Sequence, residues 1–356
     1  MVDNRSPYTH AWFRKRGRAT QDFDVLVARA CYRIDPAKQT LTFEPGCELQ
    51  PGDVLDGDPL GDPLGAVMAR EGDLLVFKPS TDIHVIGTAR PPEAKPVSSW
   101  LAGVRVGDAE KLVKLWGPRR FRMRLLGWSL SEPEPIDALP LSYRLSFGGH
   151  FASTSDPTVC LSKPDNPAGR GWLPPAERLR ALPRAAREEL QARVLQISEL
   201  AAPQIEDPNL PVRSPEHEQP TVGLGPIARH WSPRIEHLGT RDAAWLASEF
   251  PAYPDDFSPE FFHSAAPGLT TSSYLRGGEP IVLAGLFPEG RLQLSVPQEQ
   301  PVAVAVRDDA RQQIAPLVLD TVQIDLDTRR LHLSWRTSFA CSNRVRHLTL
   351  VKDGRA

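Results

Sequence analysis

Histidine and carboxylate side chains are densest in one stretch of the sequence, between His217 and His263. Within it, Asp242, Asp255, Asp256 and His263 are residue types that bind zinc or manganese and activate water for hydrolysis. A metal site requires three or four such groups to converge, and no pair here has the spacing of an H-E-x-x-H helix. A metal-dependent hydrolase that uses this central Asp/His cluster is therefore an alternative, while helix capping and loop hydrogen bonds are the simpler use of these residues.

Two short motifs imitate nucleotide or phosphoryl chemistry but lack the surroundings that this chemistry needs. Residues 223–228 read GLGPIA, which matches G-x-G-x-x-A. A dinucleotide loop requires a strand before it and a helix after it, and here prolines stand on both sides. Residues 325–328 read DLDT, but the segment after them has the pattern of a strand. We find no nucleophile elbow and no phosphate-binding loop, so we expect no catalytic residue, no bound metal and no cofactor.

The four cysteines Cys31, Cys47, Cys160 and Cys341 contain no C-x-x-C pair, so the sequence shows no zinc knuckle and no redox motif. Cys31 lies among apolar residues of a predicted strand, which favours a place in the core over the role of a nucleophile.

Charge and hydropathy limit the partners and the compartment. A net charge of −2 gives no general attraction to nucleic acid or to an anionic membrane. The first residues are polar, with no apolar segment of a signal peptide, and no apolar run is long enough to span a bilayer. We therefore expect a cytoplasmic protein in a reducing compartment that binds neither nucleic acid nor membrane.

The elements that must position the candidate residues are mainly β-strands. Residues 1–146 contain short apolar segments, among them 24–34, 41–43, 74–77, 100–106 and 111–116. Residues 281–356 return to strands and include a hairpin with its turn at 327–329. Short strands separated by turn residues predict a mainly β fold, made of β-sandwich or open-barrel-like blocks with a long irregular centre.

The centre, residues 147–280, is rich in glycine and proline. Residues 131–280 hold 21 of the 36 prolines, and such a segment keeps one shape because proline fixes φ and glycine allows positive φ. One helix is predicted after Pro183, with Ala186, Leu190 and Val194 on its apolar stripe, and a weaker one over 243–250. We divide the chain at 1–146, 147–280 and 281–356, or treat these three blocks as one compact unit.

A series of ordered motifs resembles a bacterial family of unknown function that is encoded beside the spike-tip and effector genes of type VI secretion systems. The motifs are FKPSTD at 77–82, GTA at 87–89, PLSYR at 140–144, FGG at 147–149, NPAGRG at 166–171, PQIE at 203–206, GPI at 225–227, WSPR at 231–234, GTRD at 239–242, PDDF at 254–257, FFHSAAP at 261–267 and LRGGE at 275–279. The resemblance covers residues 20–300.

This resemblance implies a non-catalytic adaptor, or effector chaperone, that binds a type VI effector protein and helps to load it onto the spike-tip proteins. The aromatic residues of the centre are expected mainly to anchor irregular backbone, and some of them to form a recognition surface. The candidate partner-binding residues are Phe147, Arg170, Trp172, Trp231, Arg234, Asp255, Asp256, Phe257, Phe261 and Phe262. A carbohydrate-binding β module that uses the same aromatic residues is a further alternative.

Overall fold

The computed structural model describes residues 2–16, 22–341 and 345–352, and the fold is mainly β, as predicted. The strands of the N-terminal part are β1 (Val2–Asn4), β2 (Thr9–Arg16), β3 (Asp22–Asp35), β4 (Thr40–Glu44), β5 (Val54–Asp56), β6 (Val67–Arg70), β7 (Asp82–Ile86), β8 (Thr88–Ala89), β9 (Ser99–Val106), β10 (Ala109–Trp116), β11 (Arg120–Arg124), β12 (Gly127–Leu130) and β13 (Leu139–Pro140).

The centre has short strands and the helices. They are β14 (Phe147–Gly148), β15 (His150–Ala152), β16 (Cys160–Ser162), β17 (Arg170–Gly171), α1 (Ala176–Arg180), α2 (Arg184–Gln196), β18 (Glu199–Ala201), β19 (Ile205–Glu206) and α3 (Ala243–Ser248). The C-terminal strands are β20 (Pro280–Phe287), β21 (Gly290–Ser295), β22 (Val302–Arg307), β23 (Gln312–Pro316), β24 (Val318–Asp325), β25 (Arg330–Ala340) and β26 (Val345–Val351). Within the described ranges, none of the helices is long and apolar enough to cross a membrane.

Two large open sheets share one hydrophobic core, which is the arrangement of a β-sandwich. One sheet has the order β2-β3-β25-β24-β7, with β4 also paired to β3, and the other has the order β19-β10-β9-β20-β21. Because β3 pairs with β25 and β9 pairs with β20, strands from the first and last predicted blocks lie side by side in the same sheets. The two β blocks therefore fold together around a common core.

The predicted hairpin at 327–329 and both predicted helices are confirmed. Strands β24 and β25 pair in antiparallel register on either side of the turn at 327–329, and β9 and β10 pair around Gly107, whose φ is +61°. Helix α2 begins after Pro183 and buries Ala186 and Leu190, and α3 lies where the weaker helix was expected. Residues 74–77, predicted as a strand, are irregular instead.

Three smaller hydrophobic clusters hold the irregular centre against the sandwich. The first surrounds Phe121, Phe147 and Trp172, and the second Tyr143 and Trp231. The third surrounds Phe257, Phe261 and Phe262, which pack on Val25 and Val76 of the N-terminal part. The centre is thus built around aromatic side chains.

Candidate functional site

Seven of the ten residues predicted to bind a partner are buried, each with no more than 9% of its surface exposed. They are Phe147, Trp172, Trp231, Arg234, Phe257, Phe261 and Phe262. Their rings pack on one another and on the sandwich, so they anchor the loops, as expected for most of the central aromatic residues. The prediction that these seven also form a recognition surface does not fit their burial. Because the six aromatic rings among them are buried, these rings are not exposed for stacking against a sugar.

The two arginines among the ten hold loop backbone in place. The guanidinium of Arg234 donates to the carbonyl oxygens of Phe261 at 3.2 Å and Ile227 at 2.7 Å. The half-buried Arg170 donates to the carbonyl oxygen of Arg144 at 2.8 Å and to the side chain of Gln204 at 3.2 Å. Carbonyl groups in irregular segments lack ladder partners, so these arginines satisfy acceptors that would otherwise be buried without hydrogen bonds.

The residues of the central Asp/His cluster have separate structural uses. Asp242 caps α3 by accepting from the backbone N–H of Trp245 at 2.9 Å. Asp256 accepts from the backbone and hydroxyl of Thr240, and Asp255 is exposed. The Nδ1 atom of His263 lies 2.7 Å from Oδ1 of Asp82, in a different part of the fold. Among the described residues, Asp242, Asp255, Asp256 and His263 therefore do not form the metal-ligand group that the hydrolase alternative requires.

Among the described residues, two groups of Asp, Glu, His or Cys side chains bring three possible metal-ligand atoms within 4.8 Å of one another. One group is Glu71, Asp82 and His84, and the other is Cys31, Cys47 and His332. No residue of the predicted central cluster belongs to either group. The sequence did not indicate the second group because His332 is 301 and 285 residues away from its two cysteines. Glu71, Asp82 and His84 are close in sequence, but their spacing matches no metal-binding motif.

The first group surrounds a buried ammonium. Lys78 has no exposed surface, and its Nζ lies 2.5 Å from Oε2 of Glu71 and 2.7 Å from Oδ2 of Asp82. The Oδ2 atom of Asp82 also accepts from the backbone N–H of Ser264 at 2.8 Å, and the Ser264 hydroxyl lies 2.9 Å from Nε2 of His84. Together these contacts fasten the loop at 261–267 to β7 of the six-stranded sheet.

The charges in this cluster compensate one another. Burial alone would raise the pKa of Glu71, but the Lys78 ammonium and the Arg234 guanidinium lower it to about 2. Burial opposes ionisation of Asp82 as well, and Lys78 and His263 hold its pKa well below the ordinary value. The ammonium lies between the two carboxylates, where a metal ion would have to bind. Lys78, Asp82, His84 and Ser264 are all fully buried, so this arrangement lies inside the fold and stabilises it.

His84 makes the cluster sensitive to acid. Burial and the Lys78 ammonium lower the pKa of His84 from 6.5 to about 4. Between pH 6.5 and pH 4 the imidazole is therefore neutral in the folded chain but protonated in the unfolded chain. The free energy of unfolding should therefore fall as the pH falls from 6.5 towards 4, by a total of about 3 kcal/mol from this group. Urea unfolding measured at several pH values tests this expectation.

The His84→Gln variant should show a shallower loss of stability between pH 6.5 and 4 than the parent protein. His347→Gln, a change at an exposed histidine, is the matched control and should keep the parental slope. Equal slopes for His84→Gln and the parent protein would contradict the assignment, since the comparison removes the contribution of every other titrating group.

A cleft of about 690 Å³ lies between α1, α2 and the segment at 216–217. Pro174, Leu179, Val194 and Leu195 give it apolar walls. The side chain of Leu195 is largely exposed at the end of α2. The cleft therefore presents an apolar surface that the described chain does not cover.

The hairpin of β11 and β12 extends this apolar surface. Its tip consists of Leu125 and Leu126, whose side chains are fully exposed. The backbone N–H of Met123 donates to the carbonyl oxygen of Ser198 just beyond α2, and the indole of Trp128 donates to Glu216 at the cleft. These contacts place the hairpin beside the cleft. We call the cleft, Leu195 and the hairpin tip the docking surface.

The docking surface has a positive surround on a chain whose net charge is −2. Residues 120–130 and 173–199 contain eight arginines and four glutamates. Three of these glutamates pair with arginines at their sides: Glu199 with Arg122, Glu188 with Arg184 and Glu189 with Arg193. An excess of guanidinium groups remains around an apolar centre, a combination that suits a partner segment with apolar and acidic side chains.

The comparison with protein families matches residues 19–336 to a family described as an uncharacterized protein conserved in bacteria (DUF2169). The chain belongs to this family. The match runs from the start of β3 into β25 and includes the whole irregular centre, while β1, β2 and β26 lie outside it. No curated protein and no solved structure matches the chain.

Proposed function

We propose that this protein is a non-catalytic adaptor that binds a type VI secretion effector and helps to load it onto the spike tip. Its ordered motifs, from FKPSTD at 77–82 to LRGGE at 275–279, resemble the family encoded beside effector and spike-tip genes. The observation that carries the proposal is the docking surface, where exposed leucines adjoin an apolar cleft. An adaptor needs such a surface, whereas it needs no convergent acids and bases.

The exposed leucines supply a driving force for association. Burying a leucine side chain stabilises a complex by about 1.5–3 kcal/mol, before the costs of association are subtracted. The hydrogen bond from Met123 to Ser198 ties the strand that leads to Leu125 and Leu126 to the residues that follow Leu195, and all three leucines are exposed. Isolated exposed leucines are common, but leucines that adjoin a cleft with a basic surround indicate a binding site.

Replacing both Leu125 and Leu126 with alanine should weaken binding of the effector by about 10–100-fold, because it removes apolar area from the centre of the contact. Both side chains are exposed, so thermal stability should stay unchanged. Isothermal titration calorimetry with the effector encoded beside the gene measures the affinity, and a thermal melt measures the stability.

Leu60→Ala is the matched control, because Leu60 is equally exposed but lies in the loop between β5 and β6. It should leave the affinity unchanged. If the parent protein binds and the double variant binds equally well, the docking surface is misplaced. If the parent protein binds neither the effector nor the spike tip, and deletion of the gene leaves effector delivery intact, the adaptor function itself is refuted.

A further inference from the structure

A sulfur–imidazole site outside the docking surface has no use in the proposed function. Cys31 in β3 lies opposite His332 in β25, and Cys47 follows the strand β4 that pairs with β3 on its other side. The two cysteines are joined as a disulfide. The Nδ1 atom of His332 lies 3.2 Å from the sulfur of Cys31 and 3.5 Å from that of Cys47.

The site borders a polar pocket of about 360 Å³ that reaches the surface, since Gly46 and Glu48 in its wall are exposed. Small ions and water can therefore approach the sulfur atoms from this side. The arginines of the pocket are matched by carboxylates, Arg29 by Asp73 at 2.5 Å and Arg330 by Glu44 at 2.8 Å. These carboxylates offset part of the positive charge that the arginines place in the pocket.

The imidazole of His332 presents one nitrogen, Nδ1, to both sulfur atoms. A histidine must be neutral to coordinate a metal ion, and a cysteine must be a thiolate.

The spacing of the three groups fits a tetrahedral zinc site. With Zn–S bonds of about 2.3 Å and Zn–N bonds of about 2.0–2.1 Å, the nitrogen and each sulfur of such a site lie about 3.6 Å apart. The two distances from His332 to the sulfur atoms are already close to this value. Once the disulfide is reduced, rotation about the cysteine side chains separates the sulfur atoms, while the Cα atoms, 5.5 Å apart, stay in place.

We propose that the reduced protein binds one zinc ion through Cys31, Cys47 and His332, with the fourth position open to the pocket. A dithiol reductant gives two electrons and two protons to the disulfide and becomes a disulfide itself. Zinc then displaces the two thiol protons and binds both thiolates. Two thiolates and an imidazole are ligands that select zinc over the hard cations magnesium and calcium. In a reducing compartment, where disulfides are rare, the metal holds the segment after β4 in place of the covalent bond.

Zinc binding by the full-length protein in its two redox states tests this proposal. The protein is reduced or left oxidised, incubated with zinc sulfate, desalted and analysed for metal by mass spectrometry. The reduced protein should retain one zinc per chain, and the oxidised protein none. Cobalt(II) in place of zinc should give a sulfur-to-metal charge-transfer band with the reduced protein, a signature that a purely structural disulfide does not produce.

Variants identify the ligands. Cys31→Ser, Cys47→Ser and His332→Gln should each weaken zinc binding by about 100-fold or more, because each removes one of three protein ligands. Cys160→Ser and Cys341→Ser are the matched controls, since these two cysteines are free, and should retain the metal. Zinc should also protect Cys31 and Cys47 of the parent protein from alkylation.

Three results would overturn the proposal. They are the absence of stoichiometric zinc from the reduced parent protein, equal uptake by the oxidised protein, and undiminished affinity in a folded His332→Gln variant. The first two comparisons use the parent chain alone, so a variant that fails to fold does not prevent the test.

Discussion

Replacing Lys78 with methionine is expected to lower the free energy of unfolding by about 3–5 kcal/mol, because it leaves buried carboxylates without their counter-charge. The ammonium lies between Glu71 and Asp82, and all three side chains are almost inaccessible to solvent. Methionine fills a similar volume but neutralises no charge and donates no hydrogen bond. Urea unfolding followed by tryptophan fluorescence measures the loss.

Lys95→Met is the matched control, because Lys95 pairs with Glu93 on the surface, where water screens both charges. This control should leave the urea midpoint unchanged. A double variant with Lys78→Met and Asp82→Asn should recover part of the loss, because Glu71 then keeps Arg234 as its partner and the second buried carboxylate is gone. A loss below about 1 kcal/mol for Lys78→Met would contradict the compensating role of the ammonium.

The buried group formed by Glu71, Lys78, Asp82, His84 and Ser264, here called the Lys78 cluster, gives the motifs around it a structural use. FKPSTD at 77–82 supplies the ammonium and one carboxylate, and FFHSAAP at 261–267 supplies His263 and Ser264. Each motif contains residue types that are common in active sites. The structure buries them together where the sheet meets the central loops. Their hydrogen bonds and ion pairs hold the loop at 261–267 against β7.

The strands and hairpins were predictable from local patterns. The alternation of apolar residues in β24 and β25 fixes which side chains face the core, and a turn of polar residues fixes the hairpin between them. The same holds for β9 and β10 around Gly107. What local patterns do not contain is the pairing of β3 with β25, which joins segments separated by almost the whole chain.

The Lys78 cluster was not predictable for the same reason. Glu71, Lys78 and His84 are close in sequence, but Arg234 and Ser264 come from loops far along the chain. One local signal was available: Asp82 precedes the apolar segment at 83–86 and His84 interrupts it, and polar side chains in a buried strand need hydrogen-bond or charge partners. That signal indicates that Asp82 and His84 have partners, but it does not identify which residues these partners are.

The burial of the aromatic residues was only partly predictable. Irregular backbone needs large side chains to hold it, so anchors were expected in the centre. Which rings face inward depends on the path of loops without periodic pattern, since no repeat of 2 or 3.6 residues assigns a face. Leu125 and Leu126 are apolar residues that are exposed instead of buried, because a pair at a hairpin tip has nothing beneath it to pack on.

Replacing Trp231 with alanine is expected to cost about 3–5 kcal/mol of unfolding free energy, because it opens a large cavity in a small core. The ring is fully buried and lies edge-on to Tyr143, with ring centroids 5.5 Å apart. It packs in one cluster with Met68 and Ile227. Trp231→Phe should lose less, because it keeps an aromatic ring and removes an indole N–H that has no hydrogen-bond partner within the described structure.

Trp245→Ala is the matched control, because the ring of Trp245 also lies edge-on to an aromatic neighbour, Phe250, at 5.5 Å. Trp245 is only half-buried, so its loss should cost less than half as much as that of Trp231. Limited proteolysis should cut the Trp231→Ala variant faster near 225–234, since this loop depends on the ring for its shape. Equal losses for Trp231→Ala and Trp245→Ala, with unchanged proteolysis, would show that the central loops are held by their glycines and prolines rather than by buried aromatic side chains.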